Sequence, residues 1–350
     1  MKPFILQGHS RPIRDIKFNR EGDLLFTGSS DRFVTLWGSE TGERIGTYYH
    51  SAAVISMCVT LDSKMLVSGD ATGGLYFWEV STGTLLRKIE MESTVGVKYV
   101  DLSLGDQKVC MAYGGRTKEA KSSIDVYSLT DIFAARTEIT KEGPIIKDCP
   151  ILKTFESTKS KFNNCKWINM NGNILCGRED GVIQLFDYES GSVLKEKQFH
   201  KEIIMDLDIS KREEVILTAS KDGKSLVIDP DTFEVLHTMF PQNPTRNLNS
   251  CKISPLFSIG DPEEEKFHAI LAGGQESRDV TTTHAKKGGF EILFYNLMFG
   301  EELGAVQGHF GPVNTLAFGP SGKVVASGGE DATIRVHKLD DDYLNLDTNK

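Results

Sequence analysis

Three residue types that can carry nucleophilic catalysis stand near the start of the chain. His9, Thr27 and Asp31 supply an imidazole, a hydroxyl and a carboxylate, which are the groups of a catalytic triad. The same types return at the same offsets in two further sets: His200, Thr218 and Asp222, then His309, Ser327 and Asp331. An active site is normally built once, whereas a set repeated along a chain is typical of a scaffold. The repetition therefore predicts structural residues rather than a catalytic centre.

A second candidate for chemistry is the stretch AGGQESRDVTTTHAKKGGF, residues 272–290. Its Gly-Gly-Gln is similar to the tripeptide with which peptide-release factors hydrolyse peptidyl-tRNA, but that tip requires a helical arm on a basic surface. A phosphate cradle requires glycines between a strand and a helix N-terminus, and no helical pattern follows. We interpret the stretch as a long connection in which Gly273 and Gly274 let the chain leave a sheet.

An interval of 28 residues recurs along the chain and indicates its architecture. It separates the start of a unit from its third strand at five places: His9 to Trp37, His50 to Trp78, Thr158 to Phe186, His200 to Ile228 and His309 to His337. Between these points, short strands alternate apolar and polar residues and are separated by Gly, Asp, Asn and Ser turns. Four strands in a unit of about 40 residues, with Gly-His near the start and an aromatic residue near the end, predict an all-β, WD-repeat β-propeller.

The repeats predict one domain of seven blades. The approximate blade boundaries are 8–49, 50–90, 91–140, 150–198, 199–240, 245–304 and 305–340. The strand at 2–7 is expected to complete the last blade and close the ring, which removes open sheet edges. Some copies are imperfect: Thr72 stands where an aspartate is expected, Cys176 replaces the hydroxyl, and insertions are expected at 116–121 and 261–266.

Resemblance to WD-repeat proteins implies a role for the repeated polar residues. In such proteins they form a buried, hydrogen-bonded chain that ties the strands of a blade together, and burial is tolerated because each group has a partner. The residues that match this structural network are His9, Thr27, Asp31, Trp37, His200, Thr218, His309, Ser327 and Asp331.

Composition limits the function classes. The formal net charge of −9 and pI near 5.5 argue against sequence-independent nucleic-acid binding, so direct RNA contact is not expected. Lys195, Lys197 and Lys201 are interpreted as a solvated strand edge, with a weak RNA-facing patch as the alternative. The six cysteines form no CxxC pair, and no apolar run is long enough to span a bilayer. We expect a cytoplasmic protein without cofactor, metal or membrane contact.

Both ends of the chain resemble one WD-repeat family, subunit i of eukaryotic translation initiation factor three. The resemblance is carried by Gly273-Gly274-Gln275-Glu276 with Asp279-Val280-Thr281-Thr282-Thr283, by Gly308-His309-Phe310-Gly311-Pro312, and by Gln7-Gly8-His9 with Asn19-Arg20-Glu21-Gly22-Asp23. Generic propellers share Gly-His but not the Asp-Val-Thr-Thr-Thr loop. Residues 90–250 match in repeat outline only.

The resemblance implies a non-enzymatic scaffold in the complex that brings mRNA and initiator tRNA to the small ribosomal subunit. Its implied partners are subunit g and a C-terminal helix of subunit b, the latter on blades five and six. Asp206 and Asp222 are the positions that match contacts to basic groups on that helix. Asp206 is expected to be exposed, so that reversing its charge weakens binding of subunit b without changing the melting temperature. An apolar groove would supply most of the affinity.

Two other function classes remain open at this point. The first is a WD-repeat adaptor for kinase-receptor signalling or for substrate recruitment by a ubiquitin ligase. The second is a propeller hydrolase with a metal in the central channel. The channel-lining first strands are expected to present Ile16, Val59, Leu207 and Leu316 with only isolated acids, which disfavours an enzyme.

Overall fold

The computed structural model describes residues 3–91, 95–115, 122–141, 143–157, 159–241, 247–261, 264–275, 289–340 and 343. In these residues the strands form seven separate sheets, one for each predicted blade. Residues 276–288, Thr158 and the expected insertion at 116–121 lie outside the described residues. Within the described part, no helix has the length and hydrophobicity needed to cross a membrane.

The ring is closed by the two ends of the chain, as predicted. The first strand, β1 (Phe4–Leu6), pairs antiparallel with the third strand of blade seven, with Ile5 opposite Arg335. Its Leu6 also packs on the next blade, because a Cβ added at Gly42 would lie 3.0 Å from Leu6 Cδ2. The seven-bladed propeller with an N-terminal closing strand is therefore confirmed.

The first two blades each contain four antiparallel strands, ordered from the channel outwards. Blade one contains β2 (Ile13–Phe18), β3 (Leu24–Ser29), β4 (Phe33–Gly38) and β5 (Arg44–Tyr49). Blade two contains β6 (Val54–Val59), β7 (Met65–Asp70), β8 (Gly74–Glu79) and β9 (Leu85–Glu90).

Blade three departs from the predicted boundaries. Its first strands are β10 (Val95–Leu102), β11 (Lys108–Gly115) and β12 (Ser122–Ser128), and an insertion then forms α1 (Leu129–Ala134), β13 (Glu138–Thr140) and β14 (Gly143–Ile146). β14 runs parallel to β9 and extends the sheet of blade two. The outer strand of blade three is β15 (Lys153–Ser157), which pairs with β12, so the predicted division between 140 and 150 is wrong.

The remaining blades return to four strands. Blade four contains β16 (Phe162–Ile168), β17 (Asn173–Arg178), β18 (Val182–Asp187) and β19 (Val193–Gln198). Blade five contains β20 (Ile204–Ile209), β21 (Ile216–Ser220), β22 (Ser225–Ile228) and β23 (Val235–Met239).

The outer strand of blade six follows directly in the chain, whereas the outer strand of blade seven comes from the N-terminus. Blade six contains β24 (Leu248–Ile253), β25 (His268–Gly273), β26 (Glu291–Asn296) and β27 (Glu301–Gln307). Blade seven contains β28 (Val313–Phe318), β29 (Val324–Gly329), β30 (Ile334–Lys338) and β1. β27 lies wholly in blade six, so the predicted boundary between 304 and 305 cuts a strand.

The hydrophobic core is divided among the blade interfaces. Seven buried clusters occur in the described residues, each between neighbouring sheets; Phe26 and Tyr48 of blade one, for example, pack with Leu66 and Trp78 of blade two. The inner strands contact one another in ring order, and β28 returns to β2. Burial of apolar surface between blades, rather than one central core, therefore stabilises the ring.

β25 ends at Gly273, which Gly274 follows; Gly274 has the backbone conformation predicted, whereas Gly273 is instead required by close packing. A Cβ added at Gly273 would lie 1.9 Å from the carbonyl oxygen of Asn247, and Gly274 has φ 136°. Both positions exclude larger residues, and the chain leaves blade six there.

Candidate functional site

The first set of triad-like residues forms a buried hydrogen-bonded chain within blade one. His9 Nδ1 lies 2.8 Å from Asp31 Oδ2, and His9 Nε2 lies 2.8 Å from Thr27 Oγ1. The Trp37 indole Nε1 donates to the same hydroxyl at 2.9 Å. The His9 side chain has no exposed surface, so no substrate can reach the imidazole, and the geometry fits a structural link across three strands.

Two further copies are assembled in the same way. His200 Nε2 lies 2.8 Å from Thr218 Oγ1, and His309 Nε2 lies 2.8 Å from Ser327 Oγ. The other ring nitrogen of each histidine faces an aspartate, Asp222 in blade five and Asp331 in blade seven, at 3.0 and 3.1 Å. Neither chain ends in tryptophan, because Ile228 and His337 occupy that position.

Blade two builds a different network that the sequence pattern missed. His50 Nε2 lies 2.7 Å from Ser68 Oγ, which also accepts from the Trp78 indole. The aspartate is displaced to Asp70, whose carboxylate accepts from the hydroxyl of Tyr76 at 2.9 Å and from the backbone amide of Gly74. A search for aspartate anywhere in this turn, rather than at one offset, would have found Asp70.

Several ionisable groups of these networks have shifted pKa values. Burial alone would raise the pKa of Asp222, but hydrogen bonds from His200 and from two backbone amides outweigh it and lower the pKa to about 2. The pKa of Asp331 is also lowered, against burial, by contact with His309. Burial lowers the pKa of His50 to about 4, so this imidazole is neutral at pH 7.

Asp206 is buried, and its expected exposure is wrong. The residue is 7% exposed, and its Oδ2 accepts from Ser250 Oγ at 2.7 Å, from the Cys251 amide at 3.2 Å and from Lys252 Nζ at 2.5 Å. Its Oδ1 accepts from the Leu207 amide at 3.0 Å. The carboxylate therefore joins blade five to blade six across the channel wall.

The same inter-blade bond recurs around the channel. The side chain at the third residue of an inner strand accepts from a backbone amide in the middle of the next inner strand: Asp15 from Met57, Ser56 from Val100, and Ser250 from Leu316. Nearer the ends of their strands, Asp101 accepts from the Trp167 amide and Asp208 from the Ile253 amide. Side chains on one strand thus hold the register of its neighbour.

The channel wall is more highly charged than predicted. Leu207 and Leu316 are fully buried in the cores between blades, because alternate side chains of a strand face opposite ways. The side chains that line the two ends of the channel include Asp15, Lys17, Tyr99, Asp101, Lys166, Asp206, Asp208 and Lys252. The wider end opens into a cavity of about 680 Å³.

The channel charges neutralise one another. Lys166 Nζ lies 2.9 Å from Asp208 Oδ1, and Lys17 Nζ lies 3.1 Å from Asp15 Oδ1. Burial lowers the pKa of Lys252, but Asp206 and Asp208 outweigh that effect and raise it above its usual range. Across the described residues, no three His, Cys, Asp or Glu side chains are arranged to hold a metal ion.

The outer face of blade five carries exposed apolar side chains. Val235 and Leu236 begin β23, and Phe240 follows its end. Met298 and Phe299 are also exposed. They lie near the start of β23, because a Cβ added at the following residue, Gly300, would lie 3.6 Å from His237 Cβ. We call Val235, Leu236, Phe240, Met298 and Phe299 the outer apolar face.

Asp222 lies at the Phe240 end of this face. Its Oδ1 accepts from the Lys224 amide at 3.0 Å, and Lys224 Nζ lies 5.3 Å from the centre of the Phe240 ring. The carboxylate also contacts His200, so only about 9% of its side chain is exposed. Asp222 thus lies beside exposed apolar side chains, but its carboxylate is already hydrogen-bonded within the blade.

Two of the clustered lysines brace neighbouring blades. Lys197 Nζ donates to the Phe233 carbonyl at 2.7 Å, and Lys195 Nζ donates to the carbonyls of Pro230 and Asp231 in the same turn of blade five. These contacts engage both amines with backbone oxygens, which favours a structural role over an RNA-facing patch.

Comparison with known proteins gives one consistent result. The family model EIF3I matches residues 1–349. Eukaryotic translation initiation factor 3 subunit I of Schizosaccharomyces pombe is 35% identical over 349 residues, which cover 99% of each chain. The proteins of that name from Homo sapiens and Xenopus tropicalis are each 35% identical over 348 residues, again with 99% of both chains covered.

Proposed function

The chain belongs to the eukaryotic translation initiation factor 3 subunit I family, and from this premise we propose that it is a non-catalytic scaffold subunit of that factor. The observation that carries the proposal is the extent of the match, which covers 99% of both chains. Because every blade lies inside the matched region, the family relationship applies to the whole ring and not to a shared repeat alone. A role in translation initiation follows from this membership.

We propose that subunit b binds the outer apolar face through its C-terminal helix. The exposed side chains of Val235, Leu236 and Phe240 mark both ends of β23, which spans roughly 17 Å. A helix of about 11 residues has the same length. Such a helix would bury Leu236 at one end and reach Asp222 and Phe240 at the other.

Asp222 and Asp206 have different places in this proposal. Asp222 adjoins the helix path, where a basic side chain of the partner would add specificity and faster association. Asp206 is already bonded to Ser250, Cys251 and Lys252. We therefore propose that it contributes indirectly, by fixing blade six against blade five.

The remaining assignments follow from membership of the complex. We propose that subunit g is a second direct partner, and that the complex carries the protein to the small ribosomal subunit in the cytoplasm. Recruitment of mRNA and initiator tRNA would then depend on the assembled factor. The net charge of −9 is consistent with contact to RNA through partners rather than directly.

Leu236→Asp tests the binding face against a matched control. Leu236 in β23 and Leu194 in β19 occupy equivalent positions and are 48% and 50% exposed. Tagged variants would be purified from cells with their native partners, which are then identified by mass. We expect Leu236→Asp to lower recovery of subunit b about tenfold, whereas Leu194→Asp leaves it unchanged.

Co-sedimentation with small ribosomal subunits tests the wider proposal. Absence of subunits b and g from the wild-type preparation, together with absence of ribosomal co-sedimentation, would contradict membership of the complex. Equal loss of subunit b from both leucine variants would instead contradict only the choice of face.

A further inference from the structure

The turns between the first and second strands of the blades form one face of the ring. The second residue after each inner strand lies at a turn; in blade order these residues are Arg20, Leu61, Leu104, Met170, Lys211, Pro255 and Pro320. In three consecutive blades this residue is a large apolar side chain: Leu61 is 43% exposed, Leu104 62% and Met170 81%. We call these three residues the tip arc.

Hydrogen bonds between adjacent turns hold the tip arc in place. The Leu61 amide donates to Asp106 Oδ2 at 2.6 Å, and the Leu104 amide donates to Asn171 Oδ1 at 2.7 Å. Asn171 Nδ2 returns a bond to the Leu104 carbonyl at 2.9 Å. The arc is therefore a contiguous surface formed by blades two, three and four, and its backbone is ordered before any partner binds.

The backbone at the exposed Met170 is strained. Asn169, Met170 and Asn171 have φ values of 55°, 49° and 69°. Asparagine tolerates this left-handed region, but a long side chain such as methionine rarely occupies it. Strain at an exposed apolar residue indicates a function for that residue, and methionine adapts well to an irregular partner surface.

Carboxylates flank the arc and accept hydrogen bonds from neighbouring turns. Glu21 Oε2 accepts from Ser63 Oγ at 2.6 Å, Asp106 accepts from Leu61 as described, and Glu213 Oε2 accepts from the Asn169 amide at 2.7 Å. In the part of the chain that the structure describes, none of these three carboxylates forms an ion pair. Along the ring the order is therefore Glu21, Leu61, Asp106, Leu104, Met170 and Glu213.

We propose that the tip arc is a docking surface for a basic amphipathic peptide segment of a partner protein. Its apolar side chains would pack on Leu61, Leu104 and Met170, and its lysines or arginines would pair with Glu21, Asp106 and Glu213. The apolar contacts supply most of the affinity, and the charges select and orient the segment. This surface does not depend on the outer apolar face of blades five and six.

A synthetic peptide tests the proposal directly. A fluorescein-labelled leucine–lysine peptide of about 14 residues, with leucines at helical spacing, would be titrated with the full chain and followed by fluorescence polarisation. We expect Leu104→Ser to weaken binding about tenfold, since one well-packed apolar contact has that effect. Met170→Gly should weaken it similarly while keeping or raising the melting temperature, because glycine relieves the positive φ.

Further variants distinguish binding to the tip arc from nonspecific apolar binding and measure the contribution of charge. Ile139→Ser removes an equally exposed apolar residue in β13 and should leave binding unchanged. Glu21→Gln combined with Glu213→Gln should weaken binding and reduce its dependence on salt. Equal binding by wild type, Leu104→Ser and Met170→Gly would overturn the proposal, as would absence of binding. The proposal would also be overturned if the chain self-associated and Leu104→Ser abolished that self-association, because the tip arc would then bind a second copy of the chain.

Discussion

At the scale of single residues, burial decides what the charged groups of this protein can do. The resemblance led us to expect partner contacts at both Asp206 and Asp222, yet Asp206 bonds to three groups of blade six. Asp222 bonds within blade five at the edge of an apolar surface. The same residue type therefore links two blades in one case and lies beside an exposed apolar surface in the other.

Charge reversal at Asp206 is expected to destabilise the fold. Asp206→Lys places a second ammonium group beside Lys252 and leaves the Cys251 amide without its acceptor, which costs about 3 kcal/mol. Urea unfolding measures the loss. Asp148→Lys, at an exposed aspartate, is the control and should change stability by less than about 0.5 kcal/mol. An unchanged unfolding midpoint for Asp206→Lys would restore the exposed interpretation.

His50 is expected to make stability depend on pH. Its folded pKa is about 4 and its unfolded pKa is about 6.5. The unfolded chain therefore takes up a proton first, and stability that is fully present above pH 6.5 is lost as the pH falls to 4. The shift corresponds to roughly 3 kcal/mol. Urea midpoints measured between these pH values should fall more steeply for wild type than for His50→Gln.

At the scale of elements, short strands matter because they pair with strand edges that would otherwise be unpaired. β1 has three residues, but it fills the open side of β30 and places Leu6 against the turn of blade one. The insertion after β12 performs a similar task for blade two, because β14 covers the free edge of β9. Covered edges remove unpaired amides from contact with other chains.

Leu6 is expected to carry most of the side-chain stabilisation from β1. Leu6→Ala removes a buried side chain and should cost about 2 to 3 kcal/mol, measured by urea unfolding. The neighbouring Ile5 is exposed, and Ile5→Ala should cost less than about 0.5 kcal/mol. Equal small effects of both changes would mean that the closing strand contributes little to stability.

At the scale of the whole molecule, stability is distributed over seven similar interfaces. Each buried cluster joins two neighbouring sheets, and hydrogen bonds around the channel wall join several of the same pairs. A closed ring of this kind leaves no terminal blade to fray. The outer surface is then free to differ from blade to blade, as the outer apolar face and the tip arc do.

The rate at which each cysteine is modified is expected to show whether the ring stays closed. All six cysteines are free, and only Cys149 is not buried. Burial raises the pKa of the Cys149 thiol to about 11, so modification is slow throughout. In native protein treated with N-ethylmaleimide, peptide mapping should show Cys149 modified first and the other five only as urea opens the blades. Early modification of Cys165 or Cys251 would show that an interface opens readily.

The repeat could be recognised in the sequence because turn residues and side-chain alternation are local features. The interval of 28 residues reflects three strands and two turns of nearly constant length, and the resemblance to WD-repeat proteins then implied that His9, His200 and His309 lie beside their hydroxyl and aspartate partners. The closure by β1 was predictable because residues 4–7 resemble the strand that precedes Gly308. The repeat depends on residues within one unit, and the closure follows from a strand that the last unit lacks and the N-terminus supplies.

Contacts between units could not be obtained in this way. The burial of Asp206 depends on residues 44 and 45 positions away, and β15 was assigned to the wrong blade because an insertion separates it from β12. In blade two the aspartate stands at a different offset, and Asp70 accepts from the Tyr76 hydroxyl. The sequence by itself determined the number and internal order of the blades, since turn chemistry and side-chain alternation are local. Only the tertiary structure decided which charges are buried and which apolar turns remain exposed, because packing between blades sets both.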